Sequence, residues 1–473
     1  MGKTERAEPK TTHEKALDIN LDASRYGTFA EIGAGQEVGR WFFRVGGASG
    51  TIAKTISAYD KIVSDAIYGT ATRYVSSERL LDMIDREYAL LIERLDAPRG
   101  GDSSFFAFAD TVQAQNYSGD ADCHAWMAIR FQTGPRRAAS QIVLHARMLD
   151  RDPLAQHEAI GILGVNLIYG AARLSDDPEA LLASLLDNLG RHRIEIDMAE
   201  FTGDAFHEVD HRVMSLCLVE NGLSRAAMFS ASGEVLRPSE VLYKRAVILQ
   251  RGRFRPPTKV HSDIQRRTVE QFCRDAEIDP SEVIDLVEIS VQELRSTQGS
   301  GLEDFRDRID ALVASDNAVL ITDYAELYLA VEYLKRYKAD QIVLPIGIPT
   351  FLEIMDENNF RHLPGGLLEA AGRFFGTGVW IYVYPGLDPR TQRRLDLDNI
   401  EIDPDPRLLF AYLEKKKLVR RLEGLPDDEL GVRSDDVLRW LRDGDPKWEA
   451  FVEPAVATAI KHGGLFGYRD PKS

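Results

Sequence analysis

Two strand-like runs, "CHAWMAIRFQT" and "SQIVLHARML", are joined by "GPRRAA" and read as a hairpin. With a short loop, residue 126 faces 147 and residue 128 faces 145. Period-two alternation then puts His124, Trp126, Arg130, His145 and Arg147 on one face. Two imidazoles, two guanidiniums and an indole make an anion-binding surface with a stacking partner. A solvated sheet face carries the same residue types. Asp110 and Gln113, on the preceding run "FFAFADTVQAQNY", join that face in this reading.

A second basic group is "RGRFRPPTK", which places Arg251, Arg253 and Arg255 in a loop after a strand. Such a cluster clamps phosphate or carboxylate, or pairs with the chain's own acids. "HEVDH" (207–211) matches H-E-x-x-H, which on a helix puts His207 and His211 on one face for zinc, with Glu208 as base. Asp210 between the ligands and the lack of a nearby third ligand count against metal, so no metal is assigned. "FAEIGAGQEVGRWFF" has Gly33, Gly35 and Gly39, a G-x-G-x-x-x-G run rather than a dinucleotide fingerprint. The helix start at Gly35–Gln36 suits an anion. "GGASGTIAKT" lacks the glycine before lysine that a P-loop needs, so no cofactor is expected.

Helical spacing predicts helices over 51–68, over "SSERLLDMIDREYALLIERL" with Ser77 as cap, over 153–173 and over 178–190. From residue 193 strands and helices alternate, which argues for a parallel sheet. Within that region "IEIDMAEF" (194–201) and "VEISVQEL" (287–294) share one pattern. Further blocks follow in the same order: "VDHRV" with "FRDRI", "AAMFSASGE" with "AVLITDYAE", and "VLYKR" with "EYLKR". Two readings stand: a duplicated βαβ unit, or unrelated units sharing strand and helix chemistry. Ligands in open α/β sheets bind beyond the strands' carboxyl ends. There the expected site residues are Ser230, Ser232, Glu234 and Asp323.

The expected fold is α/β. It comprises a disordered tail (1–22), an N-terminal α+β domain with an antiparallel hairpin (23–190), a parallel sheet of two duplicated βαβ units (191–390) and a C-terminal helical cap (391–473). Ser434 caps one helix of the last segment.

The chain has 473 residues and a net charge of −17. So acidic a surface disfavours nucleic acid. Three scattered cysteines, Cys123, Cys217 and Cys273, suit reduced thiols in the cytoplasm. No run reaches the about 20 apolar residues of a membrane span, and the charged N-terminus lacks a secretory h-region.

The stretches "YGTFAEIGAGQEVGRWFFRVGGASGTIAKTISAYD", "CHAWMAIRFQ", "GVNLIYGA", "AAMFSASGEVLRPSEVLYKR" and "RGRFRPPTK" resemble an uncharacterised bacterial protein family. Its members go by names such as nicotinate-nucleotide adenylyltransferase and TonB-dependent receptor. The motifs of neither activity occur here, so the resemblance implies no catalytic residues. Three functions remain. The first is an enzyme or enzyme-like protein binding an anionic small metabolite, such as a nucleotide or phosphorylated compound. The second is a non-catalytic assembly or regulatory protein, as a homo-oligomer. The third is a zinc hydrolase through HEVDH.

Overall fold

The computed structural model describes residues 8–117, 122–296, 301–376, 378–388, 390–424 and 430–469. The chain divides into two compact units, Met1–Ala226 and Ala227–Ser473. Each has its own sheet, and the mixed α/β class expected from the sequence is what forms.

The first unit is built on β1 (Arg25–Ile32), β2 (Ile52–Ile56), β3 (Ser104–Gln113), β4 (His124–Gln132), β5 (Ala139–Met148) and β6 (Ile194–Gly203). Their order is β2-β1-β3-β4-β5-β6. β1 runs parallel to both β2 and β3, and the rest is antiparallel. Phe108 faces the helix Pro153–Arg173, where a side chain at Gly164 would collide with Val38 and press on Phe108. Arg130, of opposite parity, reaches Asp85 on the helix Ser77–Arg99 across the other face.

Three expectations fail here. The span 51–68 is not one helix: Ile52–Ile56 is an edge strand, and Asp60 caps a helix from Lys61 to Tyr68. β-branched Thr51, Ile52, Thr55 and Ile56 favour the strand. The tail to residue 22 contains the helix Thr12–Asn20, begun by a Thr11/Glu14 capping box. Lys15 on that helix is buried, and its ammonium meets Asn166 at 2.8 Å and Asp187 at 2.7 Å. The duplication fails as well. β6 pairs antiparallel with β5 in the first sheet, whereas the strand that matches it in sequence lies in the second.

The second unit has β7 (Ala226–Phe229), β8 (Val235–Leu236), β9 (Ala246–Arg251), β10 (Val283–Ser290), β11 (Ala318–Thr322), β12 (Gln341–Gly347) and β13 (Val379–Tyr384). β14 (Gly386–Leu387) and β15 (Arg394–Leu395) pair only with each other, and β16 is Val419–Arg421. The large sheet reads β16-β13-β12-β9-β10-β11-β7-β8. Counting from β9, its parallel part has the order 3-2-1-4-5-6 of a doubly wound sheet. The segment expected to be a helical cap supplies β16, the outer parallel strand. Its later helices close a core of Val437, Leu441, Trp448, Val456 and Ile460 against Ala311.

Candidate functional site

In the first unit the hairpin brings its predicted residues together, two positions out of the expected register. Trp126 faces His145, and His124 faces Arg147. A shift of two preserves the face, so the five side chains still share it. Their charges, however, are matched. Arg130 contacts Asp85 at 2.5 Å and Gln141 at 2.9 Å, and Arg147 contacts Glu195 at 3.1 Å. His145 Nδ1 lies 2.5 Å from Asp197 Oδ1, both buried, and its Nε2 lies 3.1 Å from His124 Nδ1. The Trp126 ring sits 4.8 Å from that of His145 and fixes its plane. Asp197, which completes this chain, stands at an irregularity in the β5–β6 register, which alternation does not reveal.

The expected anion site at Gly35–Gln36 is taken. Glu31 accepts the amides of Val38 and Gly39 at 2.9 Å each, and so caps the helix Glu37–Val45 from inside. Asp110 does not join the His/Arg face. It lies beside Glu31 on β3, of opposite parity. Burial pushes Glu31 up to about 7 and Asp110 well above the usual carboxylate range. Gly33 follows with φ +104°, and a Cβ there would lie 2.0 Å from the Val112 carbonyl oxygen. The glycine thus seals β1 against β3.

HEVDH is not helical throughout, because the helix begins only at His211. His207 bonds the Asp204 carbonyl and His211 the Phe201 backbone, so the two imidazoles serve separate turns. Among the described residues no group of three potential ligands is placed to hold a metal ion.

In the second unit, Ser230, Ser232 and Glu234 make the turn between β7 and β8. The two hydroxyls lie 2.7 Å apart, and Ser230 N–H donates to the Glu234 carbonyl at 2.8 Å. Asp323 follows β11. Arg251 makes a two-pronged contact with fully buried Glu288, at 3.0 and 2.7 Å, and Thr322 Oγ1 completes that carboxylate at 2.7 Å. Arg255 and Arg308 both bind Asp304, and Arg308 also holds the Arg253 carbonyl at 3.1 Å. These contacts pin the loop 252–258. Only Arg253 stays largely exposed, 3.7 Å from Asp435.

At the strands' carboxyl ends, the two central strands separate. The β9–β12 ladder runs only from Ala246↔Gln341 to Ile248↔Val343. The flanking ladders continue, to Arg251↔Glu288 on β10 and Gly347↔Tyr384 on β13. Gln250 is 2% exposed beside this opening, and its amide oxygen has no partner among the described residues. Across it the helix Ile348–Met355 starts from Gly347 with no side-chain cap, leaving first-turn amides to find acceptors. Sequence reasoning passed over Gln250, since an amide within an apolar strand looks like packing.

No family model and no curated protein matches this chain. Among solved structures, it is similar to the competence/damage-inducible protein CihA from Agrobacterium tumefaciens. That match has 18% identity and TM-score 0.26, and covers 34% of this chain and 96% of that one. CinA superfamily proteins from Klebsiella pneumoniae (12%, TM-score 0.26) and Escherichia coli (16%, TM-score 0.23) are also similar. The former covers 34% of this chain and 96% of its own, the latter 38% and 88%. Likenesses of this size carry no weight for the fold or activity of this chain.

Proposed function

We propose that the second unit binds a small anionic metabolite, a phosphorylated or carboxylated compound, in the opening between β9 and β12. The observation that carries this reading is the early end of the β9–β12 ladder where the strand order reverses. That is the place where doubly wound sheets take ligands. The anionic group meets the amides at the start of the helix Ile348–Met355, with Arg253 as the exposed cation. A hydroxyl or amide donor of the ligand satisfies the Gln250 oxygen. Binding rather than a reaction is what this geometry supports, because Arg251 and Glu288 are already paired with each other and Arg255 with Asp304.

A thermal-shift screen of nucleotides, sugar phosphates and carboxylates tests it. A ligand at 100 times its Kd adds about 2.7 kcal/mol of stability. Arg253→Glu and Gln250→Leu should each keep the fold and erase the shift. No hit across the screen, or a hit that survives both substitutions, overturns the assignment.

A further inference from the structure

We infer that the opening between β9 and β12 holds the base of a nucleotide, with Gln250 and Tyr384 reading its polar edge; this rests on the anion site proposed above. A proline makes the opening. The β9–β12 register runs from Ala246↔Gln341 to Ile248↔Val343, and continued in phase it would set Gln250 opposite Pro345. Ile342 N–H donates to the Gly378 carbonyl at 2.8 Å, on the β13 side. Alternate residues of β12, Val343 and Pro345, therefore turn their amide positions toward β9. Pro345 has no N–H to give there, and the ladder stops before it.

Parity decides what lines the gap. Ile248, Val343 and Tyr382 pack together with Ile264 of the helix Lys259–Ala276. Gln250, Pro345, Gly347 and Tyr384 stand at even steps from them and share that face. Between Gln250 and Tyr384 the floor is thus a proline ring and a glycine, flat and apolar. A Cβ added at Gly347 would lie 3.0 Å from the Tyr384 ring and 3.1 Å from its hydroxyl oxygen, so the tyrosine leans over the glycine. Among the described residues, neither the Tyr384 hydroxyl nor either end of the Gln250 carboxamide has a hydrogen-bond partner. A buried carboxamide left unpaired is costly, and a ligand edge with one donor and one acceptor removes that cost. A nucleobase offers such an edge, which a glutamine meets with two hydrogen bonds. The tyrosine hydroxyl gives or accepts one more. A sugar phosphate without a base has no plane to lie over Pro345 and Gly347. The phosphate is left to the amides of the helix Ile348–Met355, which starts directly after Gly347, and to Arg253.

Calorimetric titration of the full chain with AMP, GMP, CMP and UMP, each set against ribose 5-phosphate, provides the test. At least one nucleotide should bind about tenfold more tightly than ribose 5-phosphate. Tyr384→Phe, which removes only a hydroxyl, should cut that ratio about fivefold with the melting temperature unchanged. Gly347→Ala, which sets a methyl against the tyrosine ring, should bring the ratio close to one. Nucleotides that bind no better than ribose 5-phosphate, or a ratio that both variants leave intact, overturn the base site while the anion site stands. Arg253→Glu should weaken nucleotide and ribose 5-phosphate together. If it weakens neither, or if none of the five compounds binds, the base site falls. In that last case a carboxylate whose binding is lost on Arg253→Glu would still support the anion site.

Discussion

Glu31 and Asp110 face each other on β1 and β3, nearly without solvent, and cannot both be charged at modest cost. Glu31 is raised from 4.5 to about 7, with burial as the main cause. A carboxyl that holds its proton more tightly when folded stabilises the fold below its unfolded pKa. That contribution is lost as pH climbs from about 4.5 to about 7. The loss amounts to about 3 kcal/mol. Denaturation at pH 5, 6, 7 and 8 should show this decline, and Glu31→Gln should flatten it; an unchanged slope would mean the proton lies elsewhere. The buried glutamates Glu195 and Glu288 account for part of the pattern that two strands in different sheets share. Each neutralises an arginine of the neighbouring strand, Arg147 and Arg251, although Glu195 is second in its strand and Glu288 sixth. That likeness was legible in the sequence, but its cause was not, because the partner lies tens of residues away. Arg251→Leu should cost about 3–5 kcal/mol by stranding Glu288, whereas a paired Arg251→Met, Glu288→Met change should restore most of it. Urea unfolding midpoints of the two variants would separate these outcomes.

At the level of elements, long periodic helices were readable because their apolar stripe is their only large signal. The helix over 153–173 is where spacing places it, and Asp152 with Pro153 marks its start. The edge strand β2 was misread because Ile52, Ile56, Tyr59 and Val63 fit a helical period as well as a strand followed by a capped helix. The hairpin face survived a wrong register for the simple reason that the error was even. Nothing local, by contrast, announces that Asp304 anchors the basic loop, since the contact joins residues about fifty apart. Asp304→Ala should release that loop, so limited trypsin digestion should cut faster after Arg253. Equal digestion rates would show that the loop is held by other contacts.

For the molecule as a whole, the boundary between units falls after Ala226, about 35 residues beyond the boundary expected at 190, where strand–helix alternation begins. β6 and the helix His211–Glu220 look like the start of an alternating α/β domain. They instead finish the first sheet, because pairing order is a long-range property that local pattern leaves open. A chain ending at Ala226 should therefore melt cooperatively by itself. A non-cooperative melt with exposed apolar surface would show that the first unit depends on the second.

The place of β16 bears on how the chain comes into being. The first unit has every strand of its sheet once residue 203 exists, while the second sheet must wait for residues 419–421 to gain its outer parallel strand. Ribosomes add about 5–20 residues per second, so those strands are separated by about 10–45 s of translation. For the last part of that interval, about 2–7 s between the completion of β13 at Tyr384 and the arrival of β16 at Val419, β13 is an uncovered edge, open to pairing with another nascent strand. Demand for chaperones during synthesis should accordingly concentrate on the second half of the chain.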